Sequence, residues 1–337
     1  MSKIIKNIIH FLRIFKIVYF RKLIHLTRQI KLPGFEGISI WEILVFFIWT
    51  IRKGLVGTRA SSLAFHFFLA MIPFGLALVI SSTYIPFFDL RQDIIPILSG
   101  FVPEILIGNF IDGLADLENS TVNSMISVGF VMALYFISNG FLVMITAFNS
   151  SKIEFEKRSW LSTRLISLGL VIGFLFSIII TLFFIVWERK LLLILGEDIT
   201  FIANNFNLFY YGITFLIIGS LLYFSISFLY YIAPSDRSTF KFMSAGSTLS
   251  TSLIILIFLG YSYYVTHFAN YNALYGSVGT IIIVLLWIYF NAYALMIGFE
   301  LNASIHGAMM KKKTLEIENQ LTEEMSNTSK PLNNSDH

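Results

Sequence analysis

The sequence predicts an all-α fold, a polytopic bundle of six transmembrane helices accompanied by amphipathic interfacial helices. Three observations carry that expectation. Of 337 residues, 56% are hydrophobic and 13% are charged, against roughly 25% charged in an average soluble domain. Six apolar stretches reach the ~20 residues that a helix rising ~1.5 Å per residue needs to cross ~30 Å of hydrocarbon. Lys and Arg collect in alternate connections between those stretches.

Residues 1–58 read as a basic cytoplasmic or interfacial segment. Within it Ile4, Ile5, Ile8, Ile9, Leu12, Phe15 and Val18 recur at helical spacing, with Lys3, Lys6, His10, Arg13 and Lys16 opposite. Such a basic amphipathic helix lies in the headgroup plane, each cation gaining roughly 1 kcal/mol from anionic lipid. The alternative is that these charges only enforce topology. No compact apolar core or small-residue cleavage site marks a signal peptide. Ile38 to Ile51 is apolar but only about 14 residues long, the length of an interfacial or re-entrant segment.

Residues 59–304 read as the membrane domain. Its spans are Ser61 to Phe88, Val122 to Phe148, Leu161 to Trp187, Leu208 to Ala233, Phe242 to Thr266 and Gly276 to Ala303. Helices are assigned despite many β-branched and aromatic residues, because in lipid a helix satisfies its own backbone polar groups. The acidic connection from Asp89 to Thr121 keeps enough apolar residues for one or two surface helices, opened by Pro96 and Pro103. Residues 305–337 form a polar tail, a solvated helix fraying into disorder.

Orientation follows from charge. Of 24 Lys and Arg, 21 lie in the first 60 residues, in 149–164, near Pro234, or after Ser304. The other connections hold only Arg91, Arg189 and Lys190. The positive-inside rule then puts both termini on the cytoplasmic side and requires an even number of spans.

Few residues in the spans bear chemistry. Glu300 is the one acidic residue read inside a span. A carboxylate there is protonated, paired or open to water, which makes it a functional candidate; the alternative is an anchoring pair with Arg59 or Arg164. His66 is read as a hydrogen-bonded packing residue before a ligand. Asn139, Asn149, Asn291 and Asn302 can join helices. Pro73, Gly276 and Gly279 are hinge candidates. Cysteine is absent, which excludes thiolate chemistry. No metalloprotease, nucleophile-elbow or phosphate-loop motif occurs, so no enzyme activity, cofactor or metal is expected.

Three stretches together resemble the YihY/BrkB family. They are Arg59-Ala-Ser-Ser-Leu-Ala-Phe-His-Phe-Phe-Leu-Ala-Met-Ile-Pro73, Tyr231-Ile-Ala-Pro234 with Arg237, and the last span from Leu274-Tyr-Gly-Ser-Val-Gly279 to Gly298-Phe-Glu-Leu-Asn302. The resemblance covers roughly residues 40 to 305. Here Phe65-His66 stands for the usual aromatic pair, and Ala70 where many members have Ser. The resemblance implies a six-span inner-membrane protein linked to serum resistance and to transport of lipid-like envelope precursors. Some members once carried a tRNA-processing ribonuclease label, generally regarded as mistaken.

The leading expectation is a transporter or flippase-like protein for an anionic lipidic substrate. Glu300, Arg59, Arg237, Asn302 and His66 are its candidate contacts, anionic membrane lipids its partners, and a homo-oligomer is compatible with it. A scaffold without transport activity is the alternative, and a membrane-bound ribonuclease the weakest reading. No nucleic-acid partner is expected.

Overall fold

The computed structural model describes residues 37–53, 55–84, 123–150, 158–198, 204–235, 242–268 and 277–328. They form helices and no strand: α1 (Ile40–Lys53), α2 (Val56–Tyr84), α3 (Asn123–Asn149), α4 (Trp160–Asp198), α5 (Phe206–Ile232), α6 (Ala245–Phe268) and α7 (Ser277–Thr328). Within the described residues, α3 to α7 each hold a stretch long and apolar enough to cross a membrane.

The chain divides into two compact units, Leu55–Phe299 and a smaller one made of Met1–Gly54 with Glu300–His337. In the larger unit α2 packs on α3, α3 on α4, α4 on α5 and α5 on α6. Ala60, Leu63 and Ala64 of α2 are buried, as are Ile137, Phe141, Met144, Ile145 and Phe148 of α3, which recur at the helical interval. Gly140 allows close approach there, since a Cβ at that position would lie 3.0 Å from Phe67. On α4 the sequence Leu165, Leu168, Ile172, Phe176, Ile179, Phe183 forms an exposed stripe at intervals of three and four residues. A continuous apolar face of that length is the surface lipid covers.

In the smaller unit the short apolar segment is an α-helix. The Ser39 hydroxyl accepts the Glu42 N–H at 3.3 Å, an N-cap that satisfies one of the first orphan amides. Ile43 and Thr50 are buried while Leu44, Val45, Ile48 and Trp49 are exposed. The Lys311 ammonium lies over the Phe46 ring, 5.9 Å from its centroid.

Helix ends differ from the sequence reading in places with a local cause. α6 starts at Ala245 rather than Phe242 because Ser244 and Ser247 cap it reciprocally, each hydroxyl accepting the other residue's N–H at 3.1 Å. α4 continues past Trp187 through Arg189 and Lys190 to Asp198: nothing in Glu-Arg-Lys-Leu-Leu-Leu breaks a helix, and all are good helix formers. α7 runs unbroken for 52 residues to Thr328, beyond the expected span end at Ala303. α2 is continuous through Pro73. The basic segment Ile4 to Phe20, the acidic connection Asp89 to Thr121, Arg237 and Gly276 lie outside the described residues. Gly279 falls in the first turn of α7.

Candidate functional site

Helix ends of the larger unit meet in a polar and aromatic cluster. The last four carbonyls of a helix have no partner within it, and arginines from other elements take up several of them here. Arg59, in the first turn of α2, donates from Nη1 to the Ala147 carbonyl at 2.8 Å, in the last turn of α3. Arg158, just before α4, donates from Nη1 to the carbonyls of Ile232 at 3.5 Å and Ala233 at 3.3 Å. Its Nη2 donates to those of Pro234 and Ser235. Cations at helix C-termini also gain from the helix dipole. Asn149 Oδ1 accepts the Ser235 N–H at 3.1 Å, tying the end of α3 to the end of α5.

Deeper in, Phe148 stacks on Phe299 with centroids 4.1 Å apart, and Tyr230 meets both rings edge-on. The buried Tyr230 hydroxyl donates to the Leu295 carbonyl at 2.5 Å, and its oxygen lies 2.5 Å from Ser250 Oγ. Ser250 in turn donates to the Ala294 carbonyl at 2.9 Å. Gly298 makes this possible: a Cβ there would run into Ser250 Oγ and stand 2.5 Å from the Gly246 carbonyl oxygen. The hydroxyls of α5 and α6 thus reach the backbone of α7 directly.

The residues singled out from sequence fall as follows. Glu300 is fully buried at 0% exposure, and its carbonyl accepts the Ser304 hydroxyl at 2.6 Å. Asn302 is buried as well. Both belong to the smaller unit, whereas Arg59 belongs to the larger. Of the two arginines named as anchors for Glu300, Arg59 holds the end of α3, and Arg164 donates to Asn139 Oδ1 at 2.7 Å while lying over the Tyr135 ring. His66 is half-buried, with Nδ1–H donating to the Ser62 carbonyl one turn back at 2.8 Å. Asn139 and Asn149 join helices; Asn291 bonds the Trp287 carbonyl of its own helix.

The sequence reading missed Glu188. It ended the third span at Trp187 and left Glu300 as the one acidic span residue; the uninterrupted α4 corrects this, because it carries Glu188 inside a stretch apolar enough to cross a membrane. Glu188 is only 5% exposed. Its Oε2 accepts the Thr214 hydroxyl at 2.9 Å, and among the described residues its Oε1 has no hydrogen-bond partner. The signal was there: apolar residues resume at Leu191, and Ser177, Thr181 and Glu188 share one helical face.

Comparison with known proteins places this arrangement. Residues 48–321 match the family model "Virulence factor BrkB". The chain is 28% identical over 279 residues to "Putative ribonuclease-like protein YfkH" of Bacillus subtilis (strain 168), covering 82% of this chain and 97% of that one. It is 36% identical over 77 residues to the UPF0761 membrane protein PSHAa0171 of Pseudoalteromonas translucida, about a quarter of each chain (23% and 26%). A UPF0761 membrane protein of Tolumonas auensis is 29% identical over 90 residues, 27% of this chain and 30% of that one. No solved structure matches. With most of its length matched and its apolar helices of spanning length, this chain is a membrane protein of the virulence factor BrkB family.

Proposed function

We propose that this protein is a multi-pass inner-membrane transporter of flippase type, with both termini in the cytoplasm, that moves an anionic lipidic envelope molecule and has no enzymatic activity. One observation carries the reading: the carboxyl-bearing residue of the last apolar helix, Glu300, is fully buried rather than placed at a helix end in water. Ionisable groups inside membrane helices are costly and are retained for work on ions, protons or polar substrates. The exposed apolar stripe of α4 supports a bilayer setting, and the excess of Lys and Arg in alternate connections supports the orientation.

The test is reconstitution of the full chain in vesicles containing a fluorescent anionic phospholipid, with leaflet exchange read by chemical quenching of the outer leaflet. Exchange above protein-free vesicles, abolished in Glu300→Gln, is the expected result. Absence of exchange for every anionic headgroup tried overturns the transport reading.

A scaffold is the second reading, favoured by a specific observation: Arg59 and Arg158, cations on the side read as cytoplasmic, are engaged in helix-end carbonyls. It predicts that deleting residues 1–35 abolishes function while Glu300→Gln leaves it intact. The Bacillus relative's name invites a nuclease reading, but among the described residues no three His, Asp or Glu side chains gather.

A further inference from the structure

We propose that Glu188, held by Thr214, is a proton-binding site buried between α4 and α5. It stands apart from the helix-end cluster, and it does not depend on the transport reading.

The two carboxyl oxygens of Glu188 have different surroundings. Oε2 receives the Thr214 hydroxyl hydrogen at 2.9 Å; Oε1 is buried and receives no hydrogen bond among the described residues. A proton can therefore be added at Oε1 without disturbing the Thr214 bond, and removed again leaving Oε2 still supported. The residue is 5% exposed, so the ionised form has little water to stabilise it. The site suits a proton better than a metal ion, because cations such as calcium take about six to eight oxygens. Among the described residues one carboxyl and one hydroxyl supply three.

The contact belongs to a longer polar line along the same pair of helices. Ser177 and Ser225 meet oxygen to oxygen at 2.5 Å, eleven residues along α4 from Glu188, or about 16 Å. Thr181 lies between them on that face and donates to the Ser177 carbonyl at 2.7 Å. Hydroxyls spaced through an otherwise apolar interface are the groups that can hold a charged intermediate in hydrocarbon.

Among the described residues the titratable neighbours are few. On α4 the adjacent Arg189 and Lys190 are exposed. On α5, Tyr210 and Tyr211 lie about one turn from Thr214. α3, also packed on α4, carries no Asp, Glu, His, Lys or Arg. α6, packed on α5, holds Tyr261, Tyr263, Tyr264 and His267 in its C-terminal half.

Dicyclohexylcarbodiimide tests the proposal, since it is membrane-soluble and reacts with protonated carboxyl groups in apolar surroundings. The carboxyl O–H adds across one N=C bond, the proton going to nitrogen and the oxygen to carbon, and an acyl shift to nitrogen leaves a stable acylurea with the whole reagent retained. Full-length protein in lipid nanodiscs is treated across pH 5 to 9 and Glu188 occupancy is read by peptide mass spectrometry. The expected result is a Glu188 adduct at least tenfold above those at the exposed Glu316 and Glu318, falling as pH rises. Thr214→Val removes the donor that favours the ionised form, so the pH midpoint moves up. No adduct, an adduct indifferent to pH, or an unmoved midpoint in Thr214→Val each overturns the proposal. Protection by sodium or calcium at fixed pH overturns it in favour of a metal-ion site. Glu188→Gln removes the adduct; if it fails to fold, the wild-type titration and Thr214→Val still decide.

Discussion

The ring of Phe148 lies flat on that of Phe299, 4.1 Å between centroids and 8° from parallel, so the end of α3 is fastened to α7 across a long stretch of sequence. Tyr230 of α5 closes the group edge-on at 5.6 Å from Phe148 and 6.0 Å from Phe299. All three rings are buried. Phe148→Ala therefore leaves a cavity where three helices meet and should destabilise the protein by about 3 kcal/mol, with Phe148→Leu costing less. Thermal unfolding of the detergent-solubilised protein checks the order. Equal melting temperatures for the two variants would mean the rings do not hold the bundle there.

Gly298→Ala should be worse than its single added methyl suggests. The new Cβ meets Ser250 Oγ, the Gly246 carbonyl and Tyr230 Oη at once, and of these the backbone carbonyl cannot be trimmed by mutation. The double variant Gly298→Ala with Ser250→Ala is expected to recover part of the lost melting temperature, because the Gly246 backbone stays in place. Full recovery would place the conflict in the hydroxyl alone.

Arg158→Gln removes a guanidinium that serves the Ile232, Ala233, Pro234 and Ser235 carbonyls. Charged hydrogen bonds of this kind contribute about 1.5–3 kcal/mol in total when one partner is deleted. Hydrogen exchange of the amides around Ser235 should accelerate at least tenfold, with little change in α3. Arg158→Lys should restore it only in part, since an ammonium lacks the planar fork that reaches several carbonyls.

The complete lack of cysteine makes the orientation directly measurable. Single substitutions Ser159→Cys, before α4, and Asn204→Cys, before α5, should react with an impermeant maleimide from opposite faces of inverted and right-side-out vesicles. Labelling of both from one face would contradict a membrane crossing by α4. That helix, at 39 residues, is about 58 Å long and exceeds the ~30 Å of hydrocarbon, so its C-terminal turns are expected to emerge or tilt. Leu193→Cys should then be more reactive than Ile179→Cys.

Hydropathy located the helices well, because span length and composition report the surrounding solvent, which is a property of each segment by itself. It could not show what a polar side chain meets. Glu300 stood out because it interrupts an apolar run, whereas Glu188 sits beside Arg189 and Lys190 and read as part of a charged connection; only the unbroken turn of α4 and the hydroxyl of Thr214 reveal it as an interior group. Arg59 and Arg158 likewise counted as topology-setting charges. Their bonds to helix-end carbonyls join residues 88 and 74 to 77 positions apart, a separation that no local pattern encodes.

Gly298 of α7 leaves room for the Ser250 hydroxyl and the Gly246 carbonyl of α6, atoms that a Cβ at position 298 would run into, the carbonyl oxygen at 2.5 Å. Any side chain at that point must push α6 and α7 apart, so the closeness of the two helices there depends on a residue that contributes no side-chain atoms of its own.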